Sequence, residues 1–453
     1  MRYRIILFFA IIFCSTHSIY AAEEKKSESV DENAIFSDEK TLTESGKLTD
    51  SSAGKSVEKE SLSFTGFLNS RTAYAMSRDW INGKDGGFDQ NEFLAFFQSN
   101  FSLDARMRKN MKGFVNVSLN YYPNGTTVNH HYTDTATGDK KTYSATEYTT
   151  YRVEEIFADI NFNKVAYLRL GKQTLRWGTG YLWVPSDLIN VDKKNLLDAS
   201  QVREGVYGSK LSIPFGTYLN FYSFVNMNKA DNVDKLSSAT KIEALFGKTE
   251  ISISALARQG SVPVYACDFS SRVFTLDVHG EASTSYGDPE KRLDYSNPLA
   301  PRSYKREDQW VTRAALGFGR AFEFLDIKDR VRIDAEFFYN GSGYKDNIFE
   351  KGGRIPYYFV YEGKLYSPNY YGMYYAGLFF TYNRLFIQDL NFTLYYIQNI
   401  TDESSIISGL FAYSYEYNVT ISLMVNGYTG KSQREYTFLG NAVSTELMVK
   451  LVF

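Results

Sequence analysis

The chain has 453 residues, with 50 Lys plus Arg against 52 Asp plus Glu, and 36 Tyr and 34 Phe against only 4 Trp. Balanced charge without a basic cluster argues against a nucleic-acid partner, and the negative mean hydropathy is too polar for a bundle of membrane helices. The two cysteines, Cys14 and Cys267, lie so that removal of an N-terminal leader would leave one, which excludes an internal disulfide and any Cys-built metal site.

Residues 1–21 read as a signal peptide. Arg2 and Arg4 supply positive charge, Ile5 to Cys14 is an apolar core too short for a comfortable span, and Ala21-Ala22 offers a cleavage site. Phe13 is bulky where lipoprotein processing wants a small residue, so Cys14 belongs to the leader and is no acylation site. Residues 22–61 form a separate segment. From Glu23 to Ser61, 17 of 39 residues are charged and only Phe36 is aromatic, too little apolar surface to offset ordering entropy. A solvated periplasmic tail is expected; a plug threading a pore is the alternative.

From residue 62 to 453 the texture is uniform: segments alternate apolar and polar at period two. In 114–121, Val115, Val117, Leu119 and Tyr121 share one face, and Asn116, Ser118 and Asn120 the other. Strands are expected near 63–76, 92–107, 112–122, 149–162, 164–176, 204–214, 217–228, 239–247 and 249–259. They continue at 264–273, 274–285, 309–322, 329–340, 371–383, 389–400, 405–416, 418–428 and 443–453, which makes 18, or 16 if 264–285 is a loop. Alternation also fits a soluble sandwich. Segment length favours membrane strands, which need about 9–11 residues. Aromatics cluster at segment ends, as at Tyr370, Tyr371, Tyr374 and Tyr375, where interfacial girdles lie. Tight connections near 162–164, 214–217 and 247–249 alternate with long polar ones at 124–146, 286–309 and 341–369. Together these features predict an all-β transmembrane antiparallel barrel.

Alternation runs to the last residue, with Phe453 on the face of Leu447, Val449 and Leu451. A final strand ending on Phe resembles the assembly signal of bacterial outer-membrane barrels. That resemblance implies barrel-assembly machinery, lipid and lipopolysaccharide as partners, and the cell outer membrane as location.

The most distinctive stretch runs from Leu170 to Asn190. Trp177 and Trp183 follow a strand ending near Arg176, Gly178 and Gly180 permit tight backbone, and Pro185-Ser186-Asp187 is a turn signal. Two exposed Trp side chains would be poorly hydrated, so this loop is expected to fold inward. Gly171, Lys172, Gln173, Trp177, Gly178, Pro185, Asp187 and Asn190 resemble a motif of porin-like outer-membrane proteins of Gram-negative bacteria, G-[RK]-Q leading through W-G to P-x-D-x-x-N. Lys172 stands where Arg is common, and Val191 where a Pro often follows the Asn. The resemblance implies a channel with an inward-folded constriction loop; bracing of the wall alone is the other reading.

Placing apolar positions toward lipid leaves Glu155, Asp159, Lys210, Lys241, Glu243, Asp277 and Glu281 facing a lumen. Arg332, Asp334, Glu336, Glu446 and Lys450 join them, with Arg169, Arg258 and Arg313. A basic residue at mid-bilayer would cost about 2–4 kcal/mol, which forces most of these inward. Both signs occur in similar numbers, whereas a strongly ion-selective pore shows rings of one sign. Neutral or zwitterionic hydrophilic solutes, or a lumen crosslinked by ion pairs, fit that balance. No enzyme is expected: beyond the leader there are only His130, His131 and His279, and no G-x-S-x-G elbow. No cofactor or metal is expected either. A non-transporting adhesin, receptor or scaffold, or a barrel wrapping an exported polymer or partner protein, is the alternative. Solute identity and oligomeric state stay open.

Overall fold

The computed structural model describes residues 61–77, 92–107, 110–133, 140–189, 204–228, 236–416, 418–438 and 440–453. The expected leader, nearly all of the tail, and Asn190 lie outside them. The strands are β1 (Ser61–Ser77), β2 (Glu92–Met107), β3 (Met111–Thr133), β4 (Lys140–Phe162), β5 (Ala166–Gln173), β6 (Val206–Phe215) and β7 (Leu219–Asn226). Next come β8 (Ser237–Phe246), β9 (Thr249–Arg258), β10 (Val264–Val273), β11 (Leu276–Tyr286), β12 (Arg292–Asp294), β13 (Arg302–Tyr304) and β14 (Trp310–Phe324). The last are β15 (Ile327–Asn340), β16 (Tyr374–Tyr382), β17 (Leu390–Asn399), β18 (Ser404–Tyr415), β19 (Val419–Thr429) and β20 (Asn441–Val452).

Among the described residues, eighteen strands form one antiparallel sheet in chain order, and β1 pairs with both β2 and β20, so the sheet closes into a barrel. The small hairpin β12–β13 stands apart. Closure removes every edge and so satisfies the backbone without water, the condition a bilayer imposes on strands.

Alternation decides which face is which. On β15, Ile333 and Phe337 are exposed on the outside, while Arg332, Asp334 and Glu336 occupy the intervening inward positions. The same holds on β20, where Leu447, Val449 and Leu451 are outside. At one end the strands join through tight turns: Asn163 and Lys164, and likewise Leu325 and Asp326, all have positive φ, the backbone that suits the twist of a two-residue hairpin.

The other end carries the long connections, and here two expectations are corrected. The span 124–146, expected as a loop, is mostly sheet: after an irregularity between Tyr121 and Thr126, pairing resumes from Thr126↔Glu147 to Thr133↔Lys140. The Thr, Val and Tyr content of this stretch suits a pleated surface. The span 341–369, expected as merely polar, is packed. Tyr344, Ile348, Phe349, Ile355, Phe359 and Tyr371 form a small core with Leu293 of β12, and Phe438 lies against it. A helical segment over 355–362 supplies part of it. We call this assembly of connections the cap.

Candidate functional site

Where β5 ends, the chain leaves the wall and turns inward over residues 174–189. Gln173 is fully buried, and the amide of Thr174 donates to Glu155 Oε1 at 2.7 Å. Trp177 packs on the near wall with Leu175, Ile189, Val206 of β6, Phe224 of β7 and Ala239 of β8. Trp183 goes the other way. It stacks on Phe338 of β15 at 5.5 Å and packs on Tyr375 of β16 at 5.8 Å. β16 is nine strands from β5 in either direction round the barrel. The loop therefore reaches the opposite wall.

Irregular backbone placed inside a barrel must find acceptors for its amides. Two carboxylates supply them. Glu281 on β11 accepts from the backbone N–H of Thr179 (3.0 Å), Gly180 (2.5 Å) and Ser186 (2.9 Å), and from the Ser186 hydroxyl (2.6 Å). Glu336 on β15 accepts from the Leu182 N–H at 2.7 Å. Gly180 is required for this approach: a Cβ there would lie 2.8 Å from Glu281 Oε1 and 3.0 Å from Glu336 Oε1. Gly178 has φ 98°, a backbone that L side chains rarely adopt. Pro185 and Ser186 form the expected turn, closed by the Asp187 N–H donating to the Val184 carbonyl at 3.1 Å. Asp187 itself is buried.

Not every motif residue joins the loop's inward contacts. Lys172 shares its side of β5 with Leu168 and Leu170; its ammonium donates to Glu204 Oε1 at 2.7 Å and to the Val153 carbonyl at 2.6 Å. The Arg176 guanidinium donates to the Gly180 carbonyl at 2.7 Å and so ties the loop to itself.

The charged positions of the inward face are largely crosslinked. Asp159 pairs with Arg169 at 2.6 Å, and Lys241 with Glu243 at 3.2 Å. Arg332 bridges Asp334 at 2.6 Å and Asp277 at 3.2 Å, and also donates to the Tyr181 hydroxyl at 3.3 Å. Glu446 pairs with Arg71. Arg313 lies 3.6 Å from Glu290. Lys210 and Lys450 instead sit over the rings of Tyr222 and Phe67, at 5.4 Å and 4.5 Å. Arg258, at the loop end of β9, is exposed. His279 lies 3.4 Å from Glu336, with Tyr181 edge-on to its ring at 4.9 Å.

Sequence reading missed several participants. Arg71 was accessible by alternation on β1. Asp268 was as well, opposite the exposed Cys267 and Phe269 on β10. Glu154, fully buried and paired with Arg152, was hidden because the register shifts beside it, between Asn116 and Val117 of the partner strand.

The cap touches the loop directly. Trp183 Nε1 donates to the Asn369 carbonyl at 2.9 Å. The Asn369 N–H in turn donates to Glu435 Oε1 at 2.7 Å, and Asn399 and Tyr375 donate to Oε2 at 2.9 and 3.1 Å. Glu435 lies in the connection 430–440, outside the strands. Burial, and secondly the charge of Asp402, push its carboxyl up to about 8.

No protein-family model matches the sequence, and no curated protein matches it. Solved structures do. The chain is similar to OccAB1 of Acinetobacter baumannii, with TM-score 0.51, 11% identity, and 86% of this chain covering 96% of that one. It is similar to OccK8 (OprE) of Pseudomonas aeruginosa at TM-score 0.51 and 8% identity, and to a BenF-like porin of Pseudomonas fluorescens Pf-5 at 0.51 and 9%. Each likeness covers 86% of this chain and 98% of the other. At such identity the likeness is one of fold, and the fold is that of the porins.

Proposed function

We propose that this protein is a porin-type channel of the bacterial outer membrane, with the long connections outside the cell, and that it passes small hydrophilic solutes of no net charge. The observation that carries the proposal is the loop 174–189: it crosses a closed barrel and is held on the far wall by Glu281, Glu336 and Trp183. An inward loop anchored at both walls narrows a passage and fixes its cross-section. The apolar outer face and charged inner face support insertion in a bilayer around a wet interior. Pairing of most inward charges with opposite partners supports the solute class, since among the described residues the lumen shows no ring of one sign. A hydrolase reading has no support in this geometry, because Glu281 and Glu336 are engaged by loop amides.

Purified protein in planar bilayers should give discrete conductance steps, with a reversal potential near zero in a salt gradient. Liposomes carrying it should swell faster in a neutral sugar or zwitterionic amino acid than in a charged analogue of equal size. Absence of steps would overturn the channel; a strongly displaced reversal potential would overturn the solute class.

A further inference from the structure

We propose that the lumen face of β1, β2 and β3 carries a binding row for uncharged, polyhydroxylated solutes, the chemistry of a saccharide, built on the side-chain amides of Asn69, Gln98 and Asn120. This rests on the channel reading above and narrows its solute class to sugars.

Position comes first. The inward loop runs from β5 to β16. Its contacts fall on β6, β7 and β8 through Trp177, on β11 through Glu281, and on β15 and β16 through Glu336 and Trp183. β1, β2 and β3 belong to the other half of the ring, so their inward residues look across the lumen toward the loop. The register sets the three amides side by side: Asn69 is opposite Gln98, and Gln98 is opposite Asn120. Alternation turns all three inward, since their neighbours Leu68, Phe97, Leu119 and Tyr121 are exposed on the outside.

The row is set apart by what it lacks. Among the described residues, neither amide atom of Asn69, which is 2% exposed, finds a hydrogen-bond partner. The carbonyl oxygens of Gln98 and Asn120 find none either. A neighbouring polar group on the same face is closed on itself: the Asn100 amide donates to Asn116 Oδ1 at 2.6 Å and to Ser118 Oγ at 3.1 Å. Polar atoms held without partners favour whatever supplies them.

Three side-chain carbonyls call for donors, and each amide also offers N–H groups to an acceptor. A hydroxyl meets both needs. Neighbouring strands stand about 5 Å apart, the spacing of equatorial hydroxyls on alternate carbons of a pyranose ring. The charges beside the row are already engaged. Arg71 is paired with Glu446 and lies over the Phe96 ring at 4.9 Å, and Phe96 stacks on Tyr122 at 5.5 Å. Lys450, opposite Asn69, turns its ammonium onto the Phe67 ring at 4.5 Å. A charged solute must compete with those contacts; an uncharged polyol need not.

Maltotriose would be titrated calorimetrically into the protein, held in a detergent without a sugar headgroup, and added to single channels to count transient blocks of the open current. Wild type, Gln98→Leu, Asn120→Leu and Lys345→Ala would be compared, with heat-modifiable migration reporting an intact barrel. Wild type and Lys345→Ala should bind and block alike, and each Leu variant should bind about tenfold more weakly, the loss expected for one or two hydrogen bonds. Glucose should bind more tightly than glucuronate or glycine. No heat from wild type, or unchanged affinity in both Leu variants, overturns the row; tighter binding of glucuronate or glycine overturns the solute class. Protein that binds maltotriose with the expected losses yet conducts nothing overturns the channel reading and leaves the row standing.

Discussion

Two stretches of irregular chain, the inward loop at 174–189 and the cap built around 341–373, solve the same problem with different parts. Both must place backbone amides away from water, and both use buried carboxylates to receive them. In the loop the acceptors are Glu281 and Glu336, fixed on strands of the barrel wall. In the cap they are Glu435 and Asp402, which sit in connections themselves. A strand-borne acceptor keeps its position whatever the loop does. An acceptor in a connection holds only while its neighbours hold. The loop should therefore fail one contact at a time, and the cap as a unit.

The largest expected effect comes from removing the wall acceptor. Glu281→Ala strips four donors of their partner, and each buried unsatisfied donor costs about 1–3 kcal/mol. The barrel should still assemble, with larger and noisier conductance; conductance equal to wild type would sink the idea that the wall holds the loop. Trp183→Ala comes next. It deletes a fully buried indole, a loss of about 3–5 kcal/mol in a packed core. Channel noise should rise while heat-modifiable migration stays unchanged.

Phe359→Ala removes a fully buried ring of similar worth from the cap. Protease cuts should then appear across 341–373 and 430–440 together. Cuts confined to one connection would contradict a cap that acts as a unit. Asp187→Ala should loosen the loop slightly, visible as a small change in conductance. Lys345→Ala, at an exposed position on the surface of the cap, should change neither readout and serves as the control.

The barrel was legible in the sequence because two solvents enforce it. Lipid outside and water inside demand period two along every strand, so β2 and β10 fall where alternation puts them, at 92–107 and 264–273. The inward loop was legible for a local reason: Trp177, Gly178, Trp183 and Pro185 lie close together in sequence. The cap was not. Tyr344, Phe359, Tyr371 and Phe438 meet across nearly a hundred residues with no repeating spacing. Glu435 and Asp402 read as ordinary loop charges, since nothing beside them in sequence announces burial. Glu154 was masked by an irregular register, which suspends the alternation that would have assigned it.

The seam of the barrel has its own consequence. β20 completes the sheet by pairing with β1, and the main chain of Phe453 exchanges two hydrogen bonds with Gly66 of β1 at 2.9 and 3.0 Å. The Phe453 ring lies against Phe64 of the first strand and Phe101 of the second. A chain interrupted before β20 would present two raw edges, on β1 and β19, each ready to template pairing with another molecule. Until β20 pairs with β1 the sheet is not a closed barrel, and the chain must be kept from its own kind.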